Sequence, residues 1–249
     1  MAKRLLCLRY DGTRFHGWQV QPNGITVQET LQDAIERISG TRSAVTGCSR
    51  TDAGVHARRF YCVTDVSESF ADAALCRSLN GVLADDVAVL SVHTVADDFH
   101  PRYAAKGKRY VYQIDNGAVP DPFLRCYAVH IRTPLDEVKL NETARLFVGK
   151  HDFSAFCSAG SSVEDKVRTI FRSEVAREGD CVRYTVEADG FLYNMVRILV
   201  GTLLDVHAGR LTAEDVKRAL ETGDRNAAGV TAPAKGLFLD EVWYETSFD

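Results

Sequence analysis

A single aspartate in a turn-forming stretch is the residue of this chain best placed to do chemistry. Residues 49–57 lie between two segments that are predicted to be strands. Gly54 favours a turn, so Asp52 is predicted to lie on a tight loop, two residues after Arg50. This placement suits a carboxylate that must be ionised, fixed and reachable, with an arginine that pairs with it or binds a phosphate. The simpler alternative is a turn aspartate that accepts hydrogen bonds from its own backbone.

A second candidate site is a segment rich in cations and aromatic rings, residues 99–114, which contains no acid. Single-stranded RNA is bound by this combination, because unstacked bases lie on rings while phosphates meet the cations. The alternative is an ordinary strand with its tyrosines in the core and its lysines in solvent. The cations are Arg102, Lys106, Lys108 and Arg109, and the rings include Phe99, Tyr103, Tyr110 and Tyr112.

A third candidate is a lone cation in an apolar segment, residues 189–201, where a helix is predicted. Since an unpaired guanidinium is costly to bury, Arg197 should have a carboxylate partner. Asp52 is one candidate, and Asp189 and Asp205 are nearer along the chain. A purely structural arginine is the alternative.

The sequence shows no pattern typical of a metal or nucleotide site. Its seven histidines have neither His-x-x-x-His nor His-Glu-x-x-His spacing, and no glycine-rich phosphate-binding motif is present. The cysteines are scattered singly, which argues against a cysteine-based zinc site. We therefore expect no metal and no cofactor. His56, beside the Asp52 loop, is either a general base or a structural hydrogen bonder.

The composition fits a protein of the reducing cytosol. Of 249 residues, 45% are apolar and 26% charged, and the seven cysteines form no disulfide-like framework. Neither a signal-peptide layout nor an apolar run near ~18 residues is present, so we expect a soluble cytoplasmic protein without a membrane partner. Residues 214–249, with eight acids and four bases, account for the net charge of −4. The remainder is neutral, which leaves room for a local basic surface.

The apolar pattern predicts two halves that mix strands and helices. Thr26 begins a helix, with a capping-box pattern, and Gly40 ends it. Residues 116–125, with two prolines, form a loop near the division, which we place between 1–105 and 106–249. The elements lack doubly wound spacing, so we predict an α+β class with mostly antiparallel sheets joined edge to edge. Strands are predicted over 3–10, 43–47, 59–66, 87–95, 108–114, 167–176, 182–188 and 237–244, and helices over 26–40, 70–80 (with Ser69 as N-cap), 136–148, 192–206 and 213–221.

Five motifs in order along nearly the whole chain resemble those of one family. The most specific is residues 49–57, Ser-Arg-Thr-Asp-Ala-Gly-Val-His-Ala, which resembles the signature of the tRNA pseudouridine synthase A family. Ser49 departs from the glycine expected before the arginine, a change that should stiffen the loop without removing activity. The other motifs are Tyr10-Asp11-Gly12-Thr13 with Phe15 and Gly17-Trp18-Gln19, then Lys108-Arg109-Tyr110 with Tyr112, His151-Asp152-Phe153 with Phe156, and Phe191-Leu192 with Met195-Val196-Arg197; the terminal residues 233–239 also fit.

The resemblance implies the pseudouridine synthase fold, with two similar α/β halves and helices packed on one side of the joined sheet. It implies an enzyme that converts uridine to pseudouridine in the anticodon stem-loop of tRNA, at tRNA positions 38 to 40, without a cofactor. Because the target base is stacked in the RNA, it must be flipped out. A homodimer that holds one tRNA across both subunits is also implied. The predicted helix over 192–206 is apolar on more than one face, so it is either wholly buried or covered by a partner.

The resemblance also assigns roles to individual residues. Asp52 is the essential carboxylate, which attacks the sugar C1′, attacks the base, or removes a proton from C2′. Tyr110 stacks on the flipped base, and Arg197 keeps Asp52 ionised, because a nearby cation lowers the pKa of a carboxylate. Arg50 fills the vacated space or contacts a phosphate, and Leu237 walls the base pocket. The remaining expected RNA contacts are Lys106, Lys108 and Arg109.

Two other functions remain compatible with parts of the sequence. The first is a tRNA-binding protein that kept the fold and lost the chemistry, which an intact set of Asp52, Arg197 and Tyr110 opposes. The second is an unrelated hydrolase that uses Asp52 with His56 on a small substrate. Such a hydrolase has no use for the basic and aromatic segment at 99–114.

Overall fold

A computed structural model of the chain describes residues 1–161 and 163–248. Contacts divide the chain into two compact units: unit 1 comprises Met1–Lys106 with Phe238–Asp249, and unit 2 comprises Gly107–Leu237. The described residues form ten strands and five α-helices, which confirms the predicted α+β class. The strands are β1 (Ala2–Tyr10), β2 (Val45–Gly47), β3 (His56–Val66), β4 (Val87–Thr94), β5 (Gly107–Asp115), β6 (Val129–His130), β7 (Gly149–Asp152), β8 (Val167–Glu178), β9 (Cys181–Ala188) and β10 (Leu237–Trp243). The helices are α1 (Val27–Ser39), α2 (Asp72–Asn80), α3 (Glu137–Arg145), α4 (Met195–His207) and α5 (Ala213–Thr222).

The sheet of unit 1 is centred on β1, which pairs antiparallel with β4 on one side and β3 on the other. The short β2 adds antiparallel to β3, and β10 pairs with β3 in parallel. Leu5 and Leu6 of β1 are both 0% exposed, so both faces of this strand are covered. The register of β1 on β3 shifts between Leu8 and Tyr10, and Tyr10 then lies opposite Ala57. This shift brings the end of β1 beside the start of β3.

The sheet of unit 2 is antiparallel in the order β5-β9-β8-β7, with β6 added in parallel to β5. Tyr112 and Tyr184 lie opposite each other on β5 and β9 and are almost fully buried. The hydroxyl of Tyr184 is satisfied by Ser173 at 2.9 Å. A buried tyrosine needs such a partner, because an unbonded hydroxyl in the core is costly.

The helix ends show where local signals were sufficient and where they were not. Thr26 accepts the N–H of Glu29, and α1 ends at Gly40, which has φ +73°. Both features were predicted. Helix α2 instead begins at Asp72 with Ala71 as N-cap, so the prediction that Ser69 caps it is wrong. The N–H of Ser69 donates to the hydroxyl of Ser67 within the preceding turn.

Helix α4 is enclosed within unit 2. Gly201 allows the backbone of Val230 to pass close by, since an added Cβ would lie 1.7 Å from the carbonyl oxygen of Val230. Ten of the thirteen residues of α4 are buried within the chain, so its apolar faces are covered without a partner chain. The buried residues of α4 are Met195, Val196, Ile198, Leu199, Val200, Gly201, Thr202, Leu203, Asp205 and Val206.

The chain end lies in a different unit from the one the sequence suggested. The predicted division placed residues 106–249 in one half, whereas Phe238–Asp249 cluster with unit 1. The reason is the pairing of β10 with β3, in which Phe238 lies opposite His56 and Leu239 opposite Ala57. Nothing local in the sequence marks a strand as the partner of one 182 residues earlier (238 − 56 = 182).

Candidate active site

The loop between β2 and β3, residues 48–55, carries Asp52. The carbonyl oxygen of Asp52 accepts the N–H of Val55 at 3.1 Å, and Gly54 has φ +77°, so the carboxylate lies on a tight turn as predicted. The side chain of Asp52 is half-buried, and that of Arg50 is exposed. Strand β3 begins at His56, three residues earlier than predicted, which shortens the loop.

The Asp52 loop is packed backbone to backbone against the segment that follows β1. The carbonyl oxygen of Thr51 accepts the N–H of Trp18 at 3.0 Å. A Cβ on Gly17 would lie 2.6 Å from that same oxygen, and a Cβ on Gly12 would lie 2.0 Å from the carbonyl oxygen of Val55. Only glycine permits so close an approach. This explains why a motif before α1 accompanies the Asp52 motif: it forms the support on which the aspartate loop rests.

A buried hydroxyl pair completes this support. The hydroxyls of Tyr10 and Thr51 lie 2.8 Å apart, and both residues are buried. Thr51 immediately precedes Asp52, so the end of β1 fixes the start of the turn. The position of the carboxylate is therefore set by the sheet of unit 1 rather than by a free loop.

His56 is held in a structural arrangement. Its Nδ1 accepts the N–H of Gly12 at 3.0 Å and lies 3.1 Å from Oδ1 of Asp11. The ring is 1% exposed and stacks on Phe238 with centroids 4.7 Å apart. Because the lone pair of Nδ1 is engaged by a backbone donor, this nitrogen does not act as a general base. Of the two predicted roles, the structural one fits the geometry.

In unit 2, Tyr110 occupies the middle of β5. Its ring meets that of Phe191 edge-on, with centroids 5.0 Å apart and an interplanar angle of 80°. Tyr110 is only 6% exposed, so in this conformation a bound base could meet a small part of its ring. Phe191 belongs to the turn before α4, and the pair therefore links β5 to the start of that helix.

Arg197 lies in the first turn of α4 and is fixed from two directions. Its Nε donates to the carbonyl oxygen of Ala232 at 2.7 Å, and its Nη1 donates to Oδ1 of Asn194 at 2.8 Å. The side-chain amide of Asn194 in turn donates to the hydroxyl of Ser158 at 2.9 Å. Asn194 has φ +59°, the only positive φ at a non-glycine residue within 1–161 and 163–248. A left-handed asparagine at a helix start is therefore the residue that orients the cation.

The two carboxylates nearest to Arg197 in sequence have other partners in unit 2. Asp189 accepts the N–H of Thr169 at 3.0 Å. Asp205 accepts Nε of Arg210 at 2.7 Å and the N–H of Val230 at 3.2 Å.

The segment before β10 is seated on Tyr112 and Arg197. The hydroxyl of Tyr112 donates to the carbonyl oxygen of Pro233 at 2.8 Å. Burial raises the pKa of Tyr112, and the charge of Arg197 opposes this rise, so the two side chains are near neighbours. Gly236 packs on the ring of Tyr112, where a Cβ would lie 2.9 Å from a ring carbon. Leu237, the predicted pocket wall, follows directly and is 4% exposed.

The expected RNA-binding cations differ in their surroundings. Lys106 is exposed, with Nζ 3.8 Å from Oε2 of the exposed Glu245, a pair that contributes little. Lys108 is only 7% exposed, so its position does not support the predicted phosphate contact. Arg109 donates through Nε to Glu187 at 2.7 Å, which offsets its charge within unit 2.

Over the described residues, no group of three or more histidine, cysteine or acidic side chains is placed to hold a metal ion. Within the same residues, no helix is long and apolar enough to cross a membrane. All seven cysteines are described, and each is a thiol.

The sequence profile of the family described as tRNA pseudouridine synthase matches residues 6–104 and 143–245 of this chain. The chain belongs to the tRNA pseudouridine synthase family. The matched ranges include the two glycines that support the Asp52 loop, together with Asn194 and Arg197. Tyr110 lies in the interval between them.

Full-length relatives within this family are closely similar. The tRNA pseudouridine synthase A of Clostridium kluyveri is 45% identical over 239 residues, covering 96% of this chain and 98% of its own. That of Brevibacillus brevis is 45% identical over 243 residues, covering 97% of this chain and all of its own. A solved Cbf5–Nop10–Gar1 complex aligns with 96% of this chain and 59% of its own at 13% identity and a TM-score of 0.37, which is too remote to support any conclusion.

Sequence analysis did not identify two residues that hold Arg197 in place in this chain. Asn194 accepts a hydrogen bond from Arg197, and Ser158 accepts one from Asn194. Asn194 and Ser158 were not singled out, because neither is charged and they lie 36 positions apart. The signal that could have found Asn194 is its place directly before a helix that begins later than its apolar pattern suggests. Asparagine is one of the few residues that tolerate the left-handed conformation.

Proposed function

We propose that this chain isomerises uridine in the anticodon stem-loop of tRNA, at tRNA positions 38 to 40, and that Asp52 is the essential carboxylate. Membership of the family makes the chain an enzyme that converts uridine to pseudouridine in tRNA. The observation that carries the assignment of Asp52 is the backbone-to-backbone support beneath its loop, which includes Gly12 and Gly17. A half-buried carboxylate held this firmly suits a reaction in which it must meet one atom of a flipped nucleotide.

The reaction breaks the N-glycosidic bond, turns the base, and forms a carbon–carbon bond to the same sugar carbon. Asp52 takes part by one of three routes: attack on C1′, attack on the base, or removal of the C2′ proton. The first resembles the use of a carboxylate in glycoside hydrolysis. A substrate with deuterium at C2′ separates the last route from the others, because only proton removal from C2′ predicts a primary isotope effect.

We propose that Tyr110 and Arg197 serve the same reaction. The role of Arg197 is to keep Asp52 ionised, and it is supported by the other partners of Asp189 and Asp205. The role of Tyr110 is contact with the flipped base through the part of its ring that remains exposed, with Leu237 as a wall of the base pocket. The reaction needs no metal or cofactor in this proposal.

Contacts with the RNA backbone are assigned first to exposed cations. Arg50, two residues from Asp52, either fills the space that the flipped base leaves or contacts a phosphate. Lys106, directly before β5, contributes a phosphate contact. Arg109 and Lys108 are weaker candidates for such contacts, because Arg109 is paired with Glu187 and Lys108 is buried.

The decisive experiment replaces the carboxylate with its uncharged isostere. Asp52→Asn should abolish pseudouridine formation, measured by mass spectrometry of tRNA, while tRNA binding stays within a few-fold, since phosphate contacts supply most of the affinity. Asp85→Asn, an exposed loop acid of the same unit, serves as the matched control and should retain full activity. Turnover by the Asp52→Asn protein would refute the assignment. The anticodon site is tested with tRNA in which the uridines at positions 38 to 40 are replaced by cytidine, which should receive no pseudouridine.

Two rival functions can be distinguished from the proposed one, the hydrolase by a contact and the binding protein by an assay. A hydrolase that pairs Asp52 with His56 needs an imidazole lone pair that can take a proton. Nδ1 of this ring already accepts a backbone N–H, which leaves the proton of the neutral ring on Nε2. A binding protein without chemistry would show equal tRNA affinity and no turnover in the wild-type chain, an outcome the same mass spectrometry reads directly.

We also propose a cytoplasmic homodimer. The family resemblance supports the dimer, and the seven thiols fit a reducing compartment. A twofold symmetric dimer is the commonest closed assembly. Light scattering at micromolar concentration should therefore report roughly twice the mass of one chain. A monomer that modifies tRNA fully at that concentration would show the dimer to be unnecessary.

A further inference from the structure

An exposed aromatic ring of the segment 99–114, in unit 1, has no role in the active site proposed above. Tyr103 is 80% exposed, although large rings are usually withdrawn from water. The ring of His100 lies beside it, 4.3 Å away between centroids and tilted by 32°. The two rings form a short, tilted stack that is largely open to solvent.

The stack is built on an ordered turn. The N–H of Ala104 donates to the carbonyl oxygen of His100 at 2.9 Å, which closes one helical turn around Tyr103. The N–H of Arg102 donates to Nδ1 of His100 at 3.2 Å and fixes the plane of the imidazole. In the neutral ring this leaves the proton on Nε2. The imidazole beside Tyr103 is therefore oriented before any ligand arrives.

The segment that contains this turn is hydrogen-bonded on both sides of Tyr103 to residues at the C-terminal end of β10. The hydroxyl of Tyr244 donates to the carbonyl oxygen of Pro101 at 2.9 Å, and the N–H of Lys106 donates to the carbonyl oxygen of Trp243 at 2.9 Å. A ring on such a segment loses little conformational freedom when it binds, so most of the stacking energy is retained.

We propose that the Tyr103–His100 stack is a binding platform for an unpaired base of the tRNA substrate, outside the site of the Asp52 chemistry. The proposal rests on the proposed function, since it takes tRNA as the ligand. Every base has a flat face that stacks on a ring, and cations beside the ring meet the neighbouring phosphates. Arg102 directly before the ring and Lys106 three residues after it supply those cations, whereas Asp97 and Asp98 make the chain acidic further towards the N-terminus. The single-stranded RNA that follows the stacked base should therefore extend from Tyr103 towards Lys106.

The test separates stacking from charge. In an Asp52→Asn background, where RNA is bound and not turned over, Tyr103→Ala and Tyr103→Leu should each weaken tRNA binding by about 5- to 150-fold. The slope of log K against log salt should stay unchanged, because no phosphate contact is lost. Tyr103→Trp should restore binding, and its added indole fluorescence should be quenched by an RNA with an unpaired loop more than by a duplex of equal length. Phe171→Ala, at an exposed ring of unit 2, is the matched control and should bind as the parent does.

The outcomes are distinct. Unchanged affinity in both Tyr103→Ala and Tyr103→Leu would overturn the platform, and pseudouridine formation by the wild-type chain would show that the proposed function stands regardless. Absence of pseudouridine with wild-type protein would instead overturn the function. A change in the mass of the assembly, measured by light scattering on Tyr103→Ala, would assign the ring to a contact between two copies of the chain. That outcome would also overturn the platform.

Discussion

Asn194→Gly is the substitution that best isolates the orientation of Arg197 from the stability of the fold. Glycine adopts φ +59° without a steric penalty, so the backbone at the start of α4 is retained. What is lost is the acceptor 2.8 Å from Nη1 of Arg197 and the donor to Ser158. The relief of the left-handed conformation, about 1 kcal/mol, offsets the loss of the neutral hydrogen bond to Ser158, also about 1 kcal/mol.

The expected loss falls on catalysis. A hydrogen bond to a charged group contributes about 1.5–3 kcal/mol, so losing all of it in the transition state lowers kcat by roughly 10- to 150-fold. The KM for tRNA should stay within a few-fold, since Asn194 is not among the proposed RNA contacts. Single-turnover formation of pseudouridine, with a thermal unfolding curve on the same sample, measures both effects.

Asn194→Asp is the control, because it keeps an acceptor for the guanidinium and should retain most of the activity. Full kcat in Asn194→Gly would refute the positioning role. A loss of kcat that accompanies a large fall in thermal stability would show that Asn194 acts on the fold instead.

Three further predictions concern charge, metals and pH. Lys106→Ala should weaken binding to all tRNAs alike and reduce the slope of log K against log salt by about one. Lys108→Ala should leave that slope unchanged, because Lys108 is buried. Equal slopes in Lys106→Ala and wild type would place the RNA-binding surface elsewhere. Activity should survive EDTA when tRNA folding is maintained by a control measurement, and a loss that zinc restores would contradict this. The N–H groups of Asp121 and Gly117 hold the pKa of Asp115 below its ordinary value, so its ionised form stabilises the fold above the usual carboxyl range and that stability is lost as pH falls below it. Asp115→Asn should therefore lower the free energy of unfolding by about 1–3 kcal/mol at pH 7, and a difference from wild type that persists undiminished in acid would refute the electrostatic cause.

The parts of the fold that follow from short-range signals were accessible from the sequence. Thr26 and Gly40 mark the ends of α1 through hydrogen bonds that span only four residues. The strands β1, β4, β5, β8 and β9 lie within a few residues of their predicted ranges, because alternation and turn residues are local features.

The parts that depend on distant contacts were not accessible. The burial of Lys108 follows from its surroundings in the folded chain, and its own sequence neighbourhood predicts exposure. The same holds for the pairing of Asn194 with Ser158, and for the close passage of Gly12 by Val55. The site motifs could be located from the sequence, whereas the reason each glycine is needed became visible only with the backbone of its neighbour.

The parallel pairing of β10 with β3 has a consequence for how the protein is made. Unit 1 is discontinuous along the chain, and all of unit 2 is synthesised before Phe238 and Leu239 are available to lie beside His56 and Ala57. A nascent chain therefore carries an open strand edge on β3, next to the Asp52 loop, until Phe238 and Leu239 have been synthesised. Contacts of such long sequence separation also slow folding. The enzyme should gain its activity only after residues 238–239 have joined β3, and a variant that lacks β10 should lose the strand that lies beside the start of β3.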